Sequence, residues 1–301
     1  MREIAVLSGK GGTGKTSLTA AFAVLAADSV VVDCDVDAAD LHLVLEPDVQ
    51  ETHEFIGGKL AEIVPDKCVQ CGICAELCRF EAIRQEEQTY SIDRIACEGC
   101  GVCSEFCPAG AIILREEESG KWFVSDTRAG PLVHARLNVA AENSGKLVTV
   151  IKNRARELAE SVNAALILVD GPPGIGCPVI ASMSGSDEVL VVTEPTVSGI
   201  HDLRRVAQLA AHFKLPVSIV VNKCDINPDV SGEIQAFADE NNFPVLAMID
   251  YDEAVTRAQL EGKTIVEYDN GATARKVRNL WERIAAGQTC RAGTGASDTG
   301  A

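Results

Sequence analysis

The chain has 301 residues, 47% of them hydrophobic, enough to fill the core of one large domain and a smaller one. Against 44 Asp and Glu stand 27 Lys and Arg, a net charge of −17 that disfavours general attraction to nucleic acid or anionic membrane. No apolar stretch nears the roughly 20 residues that span a bilayer, and the short apolar start lacks a signal-peptide pattern, so a soluble cytoplasmic protein is expected.

In chain order, Ile4–Leu7 predicts a strand, residues 9–16 a glycine loop, and Ser17–Ala27 a helix. Val30–Asp33 is a continuous apolar run of the kind that a strand buried on both faces carries. Similar runs at Leu166–Val169, Val189–Val192 and Val217–Val221 alternate with helical pattern, which predicts an α/β fold with a doubly wound, mostly parallel sheet. Between about Ile56 and Glu118 this alternation stops. Residues 68–83 instead repeat as 97–112 at an offset of 29, matching at every cysteine and at Gly72/Gly101, Glu76/Glu105, Ala82/Ala111 and Ile83/Ile112. The expected division is therefore 1–55 and 119–286 for the large domain, 56–118 for a small α+β insert, and 287–301 for a disordered polar tail. Near the end, Val277, Leu280, Trp281 and Ile284 share one face of a basic helix, read as packing on the sheet rather than as a membrane anchor. Ser144 is a candidate helix cap.

Gly9-Lys10-Gly11-Gly12-Thr13-Gly14-Lys15-Thr16 fits the phosphate-loop pattern G-x4-G-K-[ST] directly after a strand and before a helix. The glycines let backbone N–H groups approach phosphate oxygens, and the helix start adds a favourable dipole. Lys15 is placed to reach the β/γ-phosphates, and the Thr16 hydroxyl to ligate Mg²⁺.

The second lysine of this loop, Lys10, makes the sequence resemble the deviant Walker A ATPases, the group that includes MinD, ParA, the Mrp-type cluster carriers and the nitrogenase iron protein. The resemblance implies ATP as ligand and a nucleotide-dependent dimer, with itself or with a related ATPase, in which Lys10 reaches the partner's phosphates. It also implies that Val32-Asp33-Cys34-Asp35-Val36-Asp37 is a switch in which Asp35 orients water or the Mg²⁺ shell, with Asp37 a further candidate. Asp170, in Leu168-Val169-Asp170-Gly171-Pro172-Pro173-Gly174, stands near the metal, and Asn222, in Asn222-Lys223-Cys224-Asp225, bonds the purine.

Eight of the 12 cysteines form two runs, Cys68-x2-Cys71-x2-Cys74-x3-Cys78 and Cys97-x2-Cys100-x2-Cys103-x3-Cys107-Pro108. This is the spacing of bacterial two-cluster ferredoxins, in which the fourth cysteine of each run serves the other [4Fe-4S] cluster. Cys68, Cys71, Cys74 and Cys107 would hold one cluster, and Cys97, Cys100, Cys103 and Cys78 the second. Four-cysteine zinc is the alternative, poorly suited to a third cysteine two residues on. Arg79 replaces the proline of the second run and is either a cluster-tuning charge or a solvated side chain.

Cys177 lies seven residues after Asp170, where the nitrogenase iron protein carries a ligand of its bridging cluster, so a bridging metal or cluster stands against a small buried hydrophobe. Residues 125–147 offer no second cysteine for such a site. Cys34, Cys224 and Cys290 and the five histidines receive no role.

The combination predicts an ATP-hydrolysing iron-sulfur protein that couples a nucleotide-driven dimer cycle to electron transfer or metallocofactor handling, with a redox or metalloprotein partner. The alternatives are a redox-sensing positioning switch of the MinD/ParA type and a scaffold that delivers clusters. Neither nucleic acid nor a stable membrane anchor is expected among its partners.

Overall fold

A computed structural model describes residues 1–86, 89–138 and 144–287. In chain order the elements are β1 (Arg2–Ser8), α1 (Lys15–Leu25), β2 (Ser29–Asp33), α2 (Leu41–Leu45), β3 (Asp48–Ile63), α3 (Ile73–Leu77), β4 (Ile83–Glu86), β5 (Thr89–Ile92), α4 (Val102–Glu105), β6 (Ile112–Thr127) and β7 (Gly130–Leu137). They continue with α5 (Ser144–Ser161), β8 (Leu166–Pro173), α6 (Cys177–Met183), β9 (Glu188–Thr193), α7 (Val197–His212), β10 (Val217–Asn222), α8 (Pro228–Glu240), β11 (Val245–Ile249), α9 (Glu253–Leu260), α10 (Ile265–Tyr268) and α11 (Ala272–Ala285).

Among the described residues nine strands form one sheet in the order β11-β10-β9-β1-β8-β2-β7-β6-β3. Every pairing from β11 to β7 is parallel. The apolar runs of β1, β2, β8, β9 and β10 are buried almost without interruption, as a sheet covered on both faces requires. The expected doubly wound, mostly parallel α/β architecture is present. The sequence reading did not anticipate the long strands β3 and β6, whose many polar residues carry none of the continuous apolar signal of the central strands.

The chain divides into two compact units. The first comprises Met1–Thr52, Trp122–Arg136 and the segment from Ser144 onward; the second comprises His53–Lys121 and a short segment that begins at Leu137. The second unit holds both cysteine runs and the β4–β5 hairpin, and Asn138 is fixed there by hydrogen bonds to the Ser119 and Glu118 carbonyls.

In the first unit α11 buries Val277, Leu280 and Ile284, and Trp281 stacks on Phe22 of α1 with ring centroids 5.6 Å apart. This apolar face is consumed by packing, in line with the closing-helix reading. No helix among the described residues is long and apolar enough to cross a membrane. Ser144 opens α5. Of the tail expected at 287–301, residues 288–301, with Cys290, lie outside the described residues.

A capping box fixes the start of α10: Thr264 N and Oγ1 donate to Glu267 Oε2 at 2.9 and 2.7 Å. Arg128 adds a fork at 2.6 and 2.9 Å. The Arg128 guanidinium and the Thr264 donors outweigh burial and hold the Glu267 carboxyl at about 2, below its ordinary 4.5. Its contribution to stability is complete above pH 4.5 and disappears as pH falls toward 2. Glu267→Gln should lower stability near pH 7 by about 1–2 kcal/mol and flatten the acid limb in that window, measured as Tm against pH. Leu280→Ala should cost about 2–5 kcal/mol in urea unfolding, because it opens a cavity under α11.

Candidate functional site

Parallel register brings the carboxyl ends of β1, β2 and β8 together, the edge at which doubly wound sheets bind ligands. Val6 and Asp33 both pair with Asp170. The loop leaving β1 is held in a conformation that only glycine accepts at Gly14: φ is 89°, and a Cβ there would stand 2.3 Å from Asn222 Nδ2. Gly14 gives α1 no side-chain cap, so the first-turn N–H groups and the positive end of the helix dipole face the loop. Thr13 Oγ1 is buried without a hydrogen-bond partner among the described residues. Such a group is what an incoming anion or water would satisfy.

Asp170 is the hub of the floor. Lys15 Nζ and Thr19 Oγ1 donate to its Oδ1 at 2.8 and 2.9 Å, and Thr16 Oγ1 donates to Oδ2 at 2.8 Å. Burial works against the Lys15 charge, but Asp170, with Asp33 and Asp35, raises its pKa above the ordinary lysine value. Asp33 is fully buried and accepts from the Asp35 and Leu41 amides at 3.1 and 3.3 Å. Burial, then the Asp170 charge, push its carboxyl well above the usual range. Burial also lifts Asp35 to about 6, against the opposing pull of Lys15. These carboxylates and the Thr16 hydroxyl are hard oxygen donors of the type that Mg²⁺ takes. A cavity of about 830 Å³ is lined by residues 11–17 together with Asp35 and Asp37.

Lys10 does not point into the phosphate loop. Its Nζ pairs with Glu194 and donates to Thr196 Oγ1 and Ser198 Oγ at 3.1 and 3.3 Å. Glu194 also pairs with Lys223 Nζ at 3.0 Å, and the two lysines hold its carboxyl below the ordinary value despite burial. Lys223 Nζ donates to Gly12 O and Asn222 Nδ2 to Thr13 O, both at 2.8 Å. Asn222 and Lys223 line a second cavity of about 240 Å³ beside the loop. Asp33, Thr19, Glu194 and Lys223 were not assigned from sequence. Thr19 had a usable signal, one helical turn beyond Lys15, whereas Glu194 has none without the fold.

The second unit contains two small cavities. Cys68, Cys71, Cys74 and Cys107 line one; Cys97, Cys100, Cys103 and Cys78 line the other. Burial raises the Cys74 and Cys103 thiols, and the nearby Cys71 and Cys68, and Cys97 and Cys100, add to it. Among the described residues no group of three or more His, Cys, Asp or Glu side chains is arranged to hold a metal ion as the chain stands.

Cys177 is exposed at the first residue of α6, and a Cβ on Gly145 would come within 3.2 Å of its own Cβ. The exposure argues against a small buried hydrophobe. Cys34 is buried, its thiol raised by burial to about 12, and Cys224 donates to Asp250. Lys15→Met should cost about 3–5 kcal/mol in urea unfolding without nucleotide, since it strands the buried Asp170 carboxylate beside Asp33.

Residues 4–265 match the family model for the CobQ/CobB/MinD/ParA nucleotide binding domain. The chain is 33% identical over 288 residues to the uncharacterized protein MJ0578 of Methanocaldococcus jannaschii, covering 94% of this chain and 96% of that one. It is 22% identical over 293 residues to the septum site-determining protein MinD of Bacillus subtilis, covering 93% and 88%. In fold it is similar to MinD from Pyrococcus horikoshii OT3, a structure complexed with Mg-ADP, with a TM-score of 0.58, 20% identity and coverage of 96% and 99%. With a family model spanning most of its length around a glycine loop that meets Asp170 and Asn222, this chain belongs to the CobQ/CobB/MinD/ParA nucleotide-binding family and has the MinD/ParA-type P-loop ATPase fold.

Proposed function

We propose that the chain binds and hydrolyses a purine nucleoside triphosphate with Mg²⁺, ATP being the one the family implies, and couples that cycle to electron transfer or metallocofactor handling through two [4Fe-4S] clusters. The observation that carries the second half is the lining of the two cysteine cavities: each takes three cysteines from one run and the fourth from the other. That is the crossed ligand set of two-cluster ferredoxins. Residues 56–118 form the ferredoxin-like insert on this reading. Cys68, Cys71, Cys74 and Cys107 hold one cluster, and Cys97, Cys100, Cys103 and Cys78 the other. When bound, the clusters supply one-electron transfer.

The nucleotide half rests on the loop. Backbone N–H groups of residues 9–16 cradle the phosphates, and Lys15 exchanges its contact with Asp170 for the β/γ-phosphates. Thr16 and Asp170, so released, are the oxygens that hold Mg²⁺, which neutralises phosphate charge. Asp35, across the same cavity, orients the attacking water, and Asn222 contacts the base. Lys10, reached through its tether to Glu194, transfers to the phosphates of a second subunit and so ties nucleotide state to dimerisation. The partner is a second copy or a related ATPase, with a redox protein docking on the insert. Cys177, exposed at the start of α6, is the candidate for a ligand shared across such a dimer.

Anaerobically reconstituted protein should hold roughly eight iron atoms per chain and show reducible [4Fe-4S] signals by EPR. Cys107→Ser should remove the same spectral component as Cys68→Ser, and Cys78→Ser the other. A retained pair of signals in Cys107→Ser would overturn the crossed assignment. Lys15→Ala should lower hydrolysis by about 10²-fold or more at unchanged iron content, and an unaffected rate would overturn the nucleotide half.

A further inference from the structure

Lys10 belongs to the phosphate loop, yet its ammonium is held away from it, at the start of α7. Three oxygen groups take it there: the Glu194 carboxylate, Thr196 Oγ1 at 3.1 Å and Ser198 Oγ at 3.3 Å. The loop lies tight against the same helix, since a Cβ on Gly9 would stand 2.2 Å from Asp202 Cβ. Thr196 is also the N-cap of α7, accepting from Gly199 N at 3.0 Å, so the ammonium sits at the positive end of a 16-residue helix. A second ammonium, Lys223 Nζ, lies 3.0 Å from the other Glu194 oxygen.

A helix start that already holds one ammonium is a poor place for another unless a carboxylate stands between them. With Glu194 ionised, the Lys10 and Lys223 charges are partly cancelled; without it, both Lys223 and the helix dipole repel Lys10. Thr196 and Ser198 are neutral acceptors, each worth about half a bond between two charged groups. Burial opposes the Glu194 charge, but Lys10 and Lys223 hold its carboxyl below the ordinary value, so it is ionised at neutral pH. The Glu194 side chain is 13% exposed, so water and salt weaken this pair less than they weaken an open surface pair.

We propose that Glu194 is a positioning residue that sets how readily the chain dimerises: it latches Lys10 onto its own subunit, and this pair must open before Lys10 reaches the phosphates of a second copy. The inference rests on the role proposed above for Lys10 across a dimer, and it adds the contact that opposes that role. Apparent dimer affinity falls by the fraction of chains in which Lys10 is free, so the latch weakens the dimer in proportion to its own strength. The phosphates of a bound triphosphate carry more negative charge than one carboxylate and draw Lys10 off Glu194. A subunit without them leaves the latch shut, which makes closure depend on nucleotide.

Sedimentation velocity of the full chain with Mg²⁺ and the slowly hydrolysed analogue AMP-PNP tests this. Glu194→Gln and Glu194→Ala should each tighten the dimer about 3- to 30-fold. Glu194→Asp, which keeps the charge, should stay close to the unmodified protein. Lys10→Met should abolish the dimer, and adding Glu194→Gln to it should restore nothing, because the latch acts only through that lysine. An unchanged or weaker dimer in Glu194→Gln, or a gain that persists in the double variant, would overturn the latch while the role of Lys10 stands. A normal dimer in Lys10→Met, or no dimer in the unmodified protein, would overturn both.

Discussion

The ion pair between Lys15 and Asp170 is the contact on which the nucleotide half of this molecule depends, because it sits where three structural demands meet. Both side chains are almost fully buried at the carboxyl ends of β1 and β8, next to a second buried carboxylate at Asp33. Removing two charges from water costs several kcal/mol each, repaid only when every remaining donor and acceptor is used. Thr16 and Thr19 supply the extra hydrogen bonds to Asp170, while Asp33 is quieted by two amides of the following turn. The result is one cation among Asp33, Asp35 and Asp170. A site with surplus negative charge and one lysine has the chemistry that suits a divalent cation.

Around this floor the loop is clamped from a strand two places away in the sheet. Lys223 and Asn222, from the end of β10, bond the backbone carbonyls of Gly12 and Thr13, so the loop's shape is set by the base-side wall as well as by its own glycines. Glu194 joins Lys223 to Lys10 in the same network. One carboxylate therefore serves both lysines. The charge network thus joins the phosphate loop to the corner that follows β10.

The central strands were legible because burial on both faces forces continuous runs of Val, Ile and Leu, a pattern few other environments allow. The phosphate loop was legible for a similar reason, since Gly14 and Lys15 have almost no substitutes in that geometry. β3 and β6 were not, because strands with many exposed polar positions lose the apolar signature and keep only weak β propensity. Among the site residues, Asp35 and Asp170 could be placed from motif context, but Asp33 looked like an ordinary strand end until its register with Asp170 was known. Glu194 and Lys223 act through tertiary contacts more than 180 residues from the loop in sequence, which no local pattern encodes.

The cysteine unit raises a different physical question, because its apolar residues do not bury themselves. Ile95, Val69 and Phe106 are strongly exposed, and Leu77 and Phe80 less so, while the buried apolar set there among the described residues is small: Phe55, Leu60, Ala61, Ala82, Ile83, Ala111 and Ile112. A segment of that size gains too little from such a core to offset the entropy of ordering it. The internal repeat supplies the missing order in another form. Gly72 and Gly101 hold nearly the same left-handed φ, 80° and 81°, at the start of equivalent short helices, and the one cysteine of each helix, Cys74 or Cys103, lines a cavity shared with the other run. Where ligands from both halves converge on one group, binding free energy becomes folding free energy, and each half holds the other in place. Were a shared group bound there, as proposed, the thiols would form the core of this unit.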